Sequence, residues 1–263
     1  MSLSPRILLN RLHALWPDLN QEETVDRIIA GPADQEVRGV AVCWMPYRKT
    51  LKEAADRGAN LVIAHEPTFY DHWEFRGEPV PEPMQPQVEA KRREIEEHGL
   101  TVIRCHDVWD AVQVPDRWAE YLQLGPVVGG DRYARILDVG NQTAEQIAQR
   151  IAARTGESGQ STVGFYGDLE RRVQRVAVGT GCYSDPLVLR ALGADLVVAV
   201  DDILRSWIAG TWAEDEGFPI VVVNHGVSEN CTKRHLADLV QSWYPELPVF
   251  WIPQGCSYRE VRA

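Results

Sequence analysis

Short, continuous runs of Val, Ile and Leu alternate with helical patterns along nearly the whole chain, and this alternation constrains the fold more than any other feature. Several runs are unbroken apolar blocks, which is typical of strands covered on both faces. The runs occupy residues 37–44, 61–64, 101–104, 134–139, 173–178, 196–200, 220–224 and 249–252. Apolar residues three and four positions apart predict helices at 48–57, 86–98, 143–154, 185–192 and 228–243. We therefore predict an α/β protein with two α/β units, whose mixed or parallel sheets are flanked by helices.

The glycine-rich segment 125–132 follows a helical pattern at 115–124, and we place the boundary between the two units there. On this basis, the first unit comprises residues 1–125 together with 225–263, and the second comprises residues 126–224. A second loop-rich stretch, at 154–161, is interpreted as a connection within the second unit.

Composition excludes several classes of protein. The net charge of −11 argues against a general nucleic-acid surface, which requires a basic patch. In the N-terminal segment, apolar residues alternate with Arg, Asn and His, a pattern that predicts an amphipathic helix rather than a signal peptide. No apolar run approaches the roughly 20 residues that span a bilayer. We expect a cytoplasmic protein without membrane association.

Cysteine spacing gives no sign of a zinc ribbon or a disulfide framework. The five cysteines are far apart and form no Cys-x-x-Cys pair. Reduced, mostly buried thiols are the simplest interpretation.

Three of the seven histidines come directly or almost directly after an apolar strand. In open α/β sheets, ligands bind beyond the carboxyl ends of the strands, so such residues are expected to gather at one edge. A single histidine in this position is more often a hydrogen-bonded loop residue, but three such histidines, each beside carboxylates, favour a metal site. The candidates are His65 and Glu66 after the run 61–64, His106, Asp107 and Asp110 after the run 101–104, and His225 and Glu229 after the run 220–224.

Imidazole and carboxylate ligands without thiolate suit iron, manganese or zinc. The number of candidate ligands exceeds what one tetrahedral ion needs, and carboxylates can bridge two cations. The sequence therefore predicts two divalent metal ions, which in dinuclear sites lie roughly 3.5–4 Å apart. The predicted metal ligands are His65, Glu66, Asp110, His225 and Glu229.

These motifs resemble the NGG-interacting-factor-like family of dinuclear metal centre proteins. That family shows a strand ending in His-His-Pro, a later His-x-x-x-Asp and a C-terminal His-x-x-x-Glu. The matching segments here are His65-Glu66-Pro67, His106 to Asp110 and His225 to Glu229. The resemblance implies His65, Asp110, His225 and Glu229 as metal ligands, a two-domain α/β subunit and a ring-like homohexamer.

Glu66 stands where the family usually has a second histidine. A glutamate adds negative charge and a harder oxygen ligand, which favours iron, manganese or magnesium over zinc. Glu66 is therefore either a metal ligand or a general base near the metals. For His106 we favour a hydrogen bond to a ligand carboxylate or a bound phosphate, and we assign proton transfer to His106 and Glu66.

Several nearby features have two interpretations each. Gly179-Thr180-Gly181 opens a helix and can cradle a substrate phosphate, although its spacing matches neither a Walker loop nor a dinucleotide motif. Asp201 and Asp202 either approach the metals or cap a helix. Tyr70 and His72 contact the substrate or pack within their loop. Three tryptophans near strand ends either wall the pocket or are ordinary core residues, namely Trp44, Trp73 and Trp109.

The function that these residues favour is metal-dependent hydrolysis of a small phosphorylated or nucleotide substrate by a metal-activated water. The alternative is a non-enzymatic, metal-binding or regulatory homo-oligomer. A further alternative, GTP ring opening, rests only on the description of some family members as GTP cyclohydrolase I type 2.

Overall fold

The computed structural model describes residues 3–261 and divides them into two compact units. Unit 1 contains the residues up to Val112 and the segment Lys233–Gln254, whereas unit 2 contains Gln113–Thr232 and the residues from Gly255 onward. The sequence placed the divisions at 125/126 and 224/225, and the observed ones lie at 112/113, 232/233 and 254/255.

Helices and strands alternate along the described residues. The helices are α1 (Pro5–His13), α2 (Arg48–Asp56), α3 (Gln85–Glu97), α4 (Asp107–Val112), α5 (Val114–Leu122), α6 (Ala144–Gly156), α7 (Pro186–Ala191), α8 (Thr211–Glu216) and α9 (His225–Trp243). The strands are β1 (Ile28–Ala30), β2 (Val40–Cys43), β3 (Leu61–Ala64), β4 (Thr101–Arg104), β5 (Val127–Gly130), β6 (Arg135–Thr143), β7 (Gly164–Tyr166), β8 (Arg172–Val178), β9 (Leu196–Val200), β10 (Ile220–Val223) and β11 (Val249–Trp251). Short 3-10 turns occupy Glu74–Arg76, Glu82–Met84 and Gly181–Ser184, and a π-helical turn occupies Ser206–Gly210.

The sheet of unit 1 has the strand order β1-β4-β3-β2-β11. Strands β4, β3, β2 and β11 run parallel, and β1 is antiparallel to β4. Every residue of β2, β3 and β4 is buried, which explains the unbroken apolar sequences of β2 and β3 and the apolar centre of β4. Because these strands are parallel, their carboxyl ends lie at one edge of the sheet, and the segments that begin with His65 and Cys105 leave the sheet there.

The sheet of unit 2 has the strand order β5-β6-β8-β9-β10-β7. Its three central strands, β8, β9 and β10, run parallel, whereas β5, β6 and β7 pair antiparallel. The predicted α/β fold with mixed sheets is confirmed. Strands β1, β5 and β7 were not predicted, because each has only three or four residues and none is an apolar block that is fully buried.

Within the glycine-rich segment 125–132, residues Val127–Gly130 form strand β5 of unit 2. A Cβ atom at Gly125 would lie 1.9 Å from the backbone oxygen of Asp138, and one at Gly130 would lie 2.2 Å from that of Ala134. These glycines therefore permit a close approach of the backbones of β5 and β6.

No helix within residues 3–261 is both long enough and apolar enough to cross a membrane.

Lys91 is a buried cation on α3, with 3% of its surface exposed. Its Nζ donates a hydrogen bond to the backbone oxygen of Thr68 at 2.7 Å and lies 4.4 Å from the ring centre of Tyr70. Burial lowers the pKa of Lys91 to about 8 from its ordinary value of 10.5. Between these two pH values the unfolded chain binds more protons than the folded one, so Lys91 makes folding more favourable as the pH rises.

We expect the free energy of unfolding of the wild type to rise relative to Lys91→Met between pH 8 and 10, by up to about 2–3 kcal/mol. Urea denaturation at a series of pH values measures this difference. Lys49→Met, at an exposed position on α2, is the matched control and should follow the wild-type profile. Parallel profiles for wild type and Lys91→Met would contradict the interpretation.

Candidate metal centre

The ends of β3 and β4 bring together His65, His106 and Asp110 in unit 1. His65 follows the last residue of β3, His106 comes two residues after β4, and Asp110 lies one helical turn later on α4. The Nε2 atom of His65 is 3.4 Å from Oδ1 of Asp110, and Nδ1 of His106 is 3.5 Å from Oδ2 of Asp110. Each residue offers a ligand atom, and these atoms lie within 4.8 Å of one another. We call these three residues the unit 1 cluster, and they can hold a metal ion.

The imidazole of His65 is oriented by the backbone and by a neighbouring ring. Its Nδ1 is 3.1 Å from the backbone oxygen of Cys105, which can only accept, so Nδ1 carries the proton and donates it. The ring also stacks on that of His106, with a centroid distance of 4.5 Å and an interplanar angle of 17°. This leaves the Nε2 lone pair of His65 beside Asp110, as in metal sites where a carbonyl fixes the histidine tautomer.

His106 is neutral at physiological pH. Burial, and after it the neighbouring His65, lower the pKa of His106 to about 4. Its Nδ1 is 3.0 Å from Oδ1 of Asp107, and Asp107 in turn accepts hydrogen bonds from the hydroxyl of Thr24 and the backbone N–H of Val25. A neutral imidazole donates one hydrogen bond and keeps one lone pair, so His106 donates from Nδ1 to Asp107 and has its lone pair on Nε2. The role of His106 in proton transfer stays a prediction.

The carboxylate of Asp26 anchors the helix that carries Asp110. It accepts hydrogen bonds from the backbone N–H groups of His106, Asp107 and Val108, at 2.6, 2.8 and 2.9 Å. These are N–H groups at the start of α4, where a carboxylate is favourable. Sequence reasoning missed Asp26, because it lies 80 residues before its partners and matches no motif.

Glu66 lies beside a buried arginine. The Oε2 atom of Glu66 is 3.8 Å from Nη2 of Arg104, the last residue of β4, and Arg104 has none of its surface exposed. Nε of Arg104 also donates to the backbone oxygen of His65 at 3.1 Å. Arg104 therefore offsets the charge of Glu66 and holds the backbone of the His65-Glu66 motif. In the sequence, Arg104 was identified only as the last residue of the predicted strand 101–104.

Unit 2 contains the second pair of predicted ligands, at the start of α9. The Nε2 atom of His225 is 2.9 Å from Oε1 of Glu229, one helical turn further on. Nδ1 of His225 is 2.8 Å from Oδ2 of Asp202, and the backbone N–H of His225 donates to Asp201 at 3.1 Å. Asp201 and Asp202 thus orient His225, and the hydrogen bond to Asp201 caps the start of α9.

The turn Gly179-Thr180-Gly181 lies next to this pair. Gly181 has a φ of +46°, and a Cβ atom there would lie 3.3 Å from both His225 Nε2 and Glu229 Oε1. The glycine therefore leaves space beside the two ligand atoms. A four-residue 3-10 helix follows the turn, and the phosphate site considered for this turn stays a prediction.

The aromatic residues near the strand ends differ in exposure. Trp44 and Trp109 are buried in unit 1, as ordinary core residues are, and Trp73 is 37% exposed. Trp73 packs edge-to-face on His72, at a centroid distance of 4.8 Å. Tyr70 is exposed and has a φ of +66°.

Replacing Asp202 with alanine is expected to weaken metal binding by roughly 10–100-fold, because His225 loses the partner that fixes its tautomer and ring orientation. Isothermal titration of the metal-free protein with manganese or zinc measures this change. Asp215→Ala, on the exposed face of α8, is the matched control and should leave the affinity unchanged. An unchanged affinity in Asp202→Ala would show that Asp202 only shapes the loop.

The fold and the His/Asp cluster together define an α/β protein with a candidate metal centre at the ends of its strands. The family model for Duf34/NIF3 (NGG1p interacting factor 3) matches residues 9–254. The chain therefore belongs to the Duf34/NIF3 family, and the resemblance found in the three motifs is confirmed. Membership of this family, together with the cluster, indicates metal binding.

Several solved structures share the fold of this chain. The Staphylococcus aureus hypothetical protein SA1388 superposes with a TM-score of 0.80 at 17% identity, covering 99% of this chain and 100% of that one. A Bacillus cereus protein related to NIF3 gives 0.78 at 14% identity, covering 100% and 99%. Reduced HcgD from Methanocaldococcus jannaschii gives 0.71 at 16% identity, covering 95% and 98%. A search of curated proteins found no match.

Proposed function

We propose that this protein is a metal-dependent hydrolase that acts on a small phosphorylated or nucleotide substrate. The observation that carries the proposal is the unit 1 cluster, in which His65 and Asp110 are almost fully buried, with 1% and 5% of their surfaces exposed. Imidazole and carboxylate ligand atoms held side by side are the donor set that suits iron, manganese or zinc. In unit 2, His225 and Glu229 offer two further ligands of the same chemistry.

Divalent ions bound by these residues would polarise a phosphoryl oxygen and lower the pKa of a bound water. His65 presents Nε2 as a ligand because its Nδ1 proton is committed to Cys105. Asp110 is held in place by the Asp26 anchor at the start of α4. Glu66, whose charge is offset by Arg104, is the carboxylate proposed to accept a proton from the attacking water, and His106 is the proposed second proton carrier.

The negative charge of the chain is compatible with a phosphorylated substrate, because bound cations supply the local positive charge. The five ligands His65, Glu66, Asp110, His225 and Glu229 were predicted to serve one dinuclear centre of iron, manganese or zinc, and this stays a prediction. From the family resemblance we further propose a homohexamer, and from the pattern of the N-terminal sequence a cytoplasmic location. Light scattering coupled to gel filtration gives the number of copies directly.

Metal analysis combined with an activity panel tests the function. Protein purified without added metal, and protein reconstituted with iron, manganese or zinc, should contain up to about two ions per chain. Phosphoesters and nucleotides, GTP included, are then assayed with wild type, with His225→Ala and with His98→Ala as the control at an exposed histidine. We expect turnover in the wild type and in the control, and a rate of turnover that is lower by roughly 100-fold or more in His225→Ala.

Fewer than roughly half an ion per chain after reconstitution would contradict the metal centre itself. Turnover that survives His225→Ala would have to come from another site or a contaminant. Full metal content without turnover on any substrate would instead support a non-enzymatic, metal-binding role.

A further inference from the structure

His72 lies in the loop that follows the His65-Glu66 motif, and its exposed ring borders the unit 1 cluster. The ring packs edge-to-face on that of His106, with a centroid distance of 5.5 Å and an interplanar angle of 84°. His72 is therefore close enough to contact a molecule bound at the cluster, while lying outside the set of residues that can ligate the metal.

Arg104 holds both the backbone and the ring of His72. Its Nη1 donates to the backbone oxygen of His72 at 2.6 Å, and its Nη2 lies 3.3 Å from Nδ1 of the imidazole. The guanidinium is fully buried on β4, so its position is fixed by the sheet and does not depend on the loop.

This contact determines which nitrogen of His72 carries the proton. An arginine side chain can only donate hydrogen bonds and keeps its charge at any physiological pH. Nδ1 of His72 must therefore be the acceptor, which requires a neutral ring with its proton on Nε2.

We propose that Arg104 holds His72 as a neutral hydrogen-bond donor, whose Nε2–H contacts a phosphoryl oxygen of a molecule bound at the unit 1 cluster. This inference rests on the proposed function, because a metal-bound phosphate brings the oxygen to that position. His72 would bind and orient the phosphate without transferring a proton. Arg104 acts through His72 and is a positioning residue.

The tautomer can be measured independently of metal and activity. In metal-free protein labelled with ¹⁵N-histidine, long-range ¹H–¹⁵N correlations distinguish a proton on Nε2 from one on Nδ1 and from a doubly protonated ring. We expect His72 to show the Nε2–H form at pH 7, and the preference to be lost in Arg104→Met, which removes the donor at Nδ1. A proton on Nδ1, or a charged imidazolium, would overturn the proposal.

The contact is tested with inorganic phosphate binding to the zinc-loaded protein. His72→Phe should weaken phosphate binding roughly tenfold and leave zinc affinity unchanged, because one hydrogen bond to a charged group is lost. His72→Gln, which restores an N–H donor of similar reach, should recover most of the affinity, and His98→Phe at an exposed site should have no effect.

If His72→Phe bound phosphate as strongly as the wild type, the proposed contact would be wrong. It would also be wrong if the zinc-loaded wild type bound no phosphate. The proposed hydrolase fails on different evidence, namely missing metal or missing turnover, so the two failures can be told apart.

Discussion

Replacing Asp110 with alanine should remove metal binding at the unit 1 cluster, with a loss of affinity greater than roughly 100-fold. This exceeds the 10–100-fold typical of residues that only orient a ligand. Asp110 lies between His65 and His106, with one carboxylate oxygen near each imidazole, so its removal leaves two histidines without the anionic ligand. The loss should be visible both in titration calorimetry and in thermal unfolding.

Thermal unfolding gives a second measure of the same effect. A metal present at 100 times its dissociation constant stabilises the folded wild type by about 2.7 kcal/mol. In Asp110→Ala the same concentration should raise the free energy of unfolding by less than about 0.5 kcal/mol. Asp56→Ala, at an exposed position on α2, should respond like the wild type. A wild-type response in Asp110→Ala would exclude Asp110 as a ligand.

Replacing Arg104 with methionine should destabilise unit 1 by about 3–5 kcal/mol, the cost of removing one partner from a buried ion pair. The substitution leaves the carboxylate of Glu66 beside an apolar side chain and removes the donors to the backbone oxygens of His65 and His72. Urea denaturation measures the change. Arg104→Lys keeps the charge but loses the planar set of donors, so its free energy of unfolding should lie between those of the wild type and Arg104→Met.

Two further variants make this prediction specific. Arg57→Met, at an exposed position next to α2, should change stability by less than about 1 kcal/mol. Glu66→Gln introduced into Arg104→Met should recover part of the stability, because it removes the uncompensated charge. If Arg104→Met alone were within about 1 kcal/mol of wild type, the guanidinium could not be what holds the His65-Glu66 motif.

The sequence predicted the central strands well because their physical cause is local. Strands β3 and β9 are unbroken apolar blocks and β4 has an apolar centre; all three are buried at every residue, and their observed bounds equal the predicted ones. The short strands β1, β5 and β7 depend on partners elsewhere in the chain and show no comparable pattern. The start of α9 lies at His225, three residues before the predicted start, because its first four residues, His-Gly-Val-Ser, include one apolar side chain and so show no helical periodicity.

The site residues that could be predicted from the sequence are those that directly follow a buried strand. His65, His106 and Asp110 were found because they follow strands whose carboxyl ends share one sheet edge, and the structure brings them together. Asp26 and Arg104 were missed for a common reason. Their partners are mainly backbone groups, up to 82 residues away for Asp26, and no residue type in the sequence marks a backbone N–H or carbonyl that needs a partner.

The central claim is that the cluster at the ends of β3 and β4 binds metal. An anomalous-scattering map from crystals reconstituted with manganese or zinc tests it most directly, since the absorption edge identifies the ion and the peak position identifies its ligands. We expect a peak within roughly 2.0–2.3 Å of His65 Nε2 and of an Asp110 carboxylate oxygen. A map that shows metal elsewhere, or no peak within roughly 4 Å of these atoms, would contradict the claim.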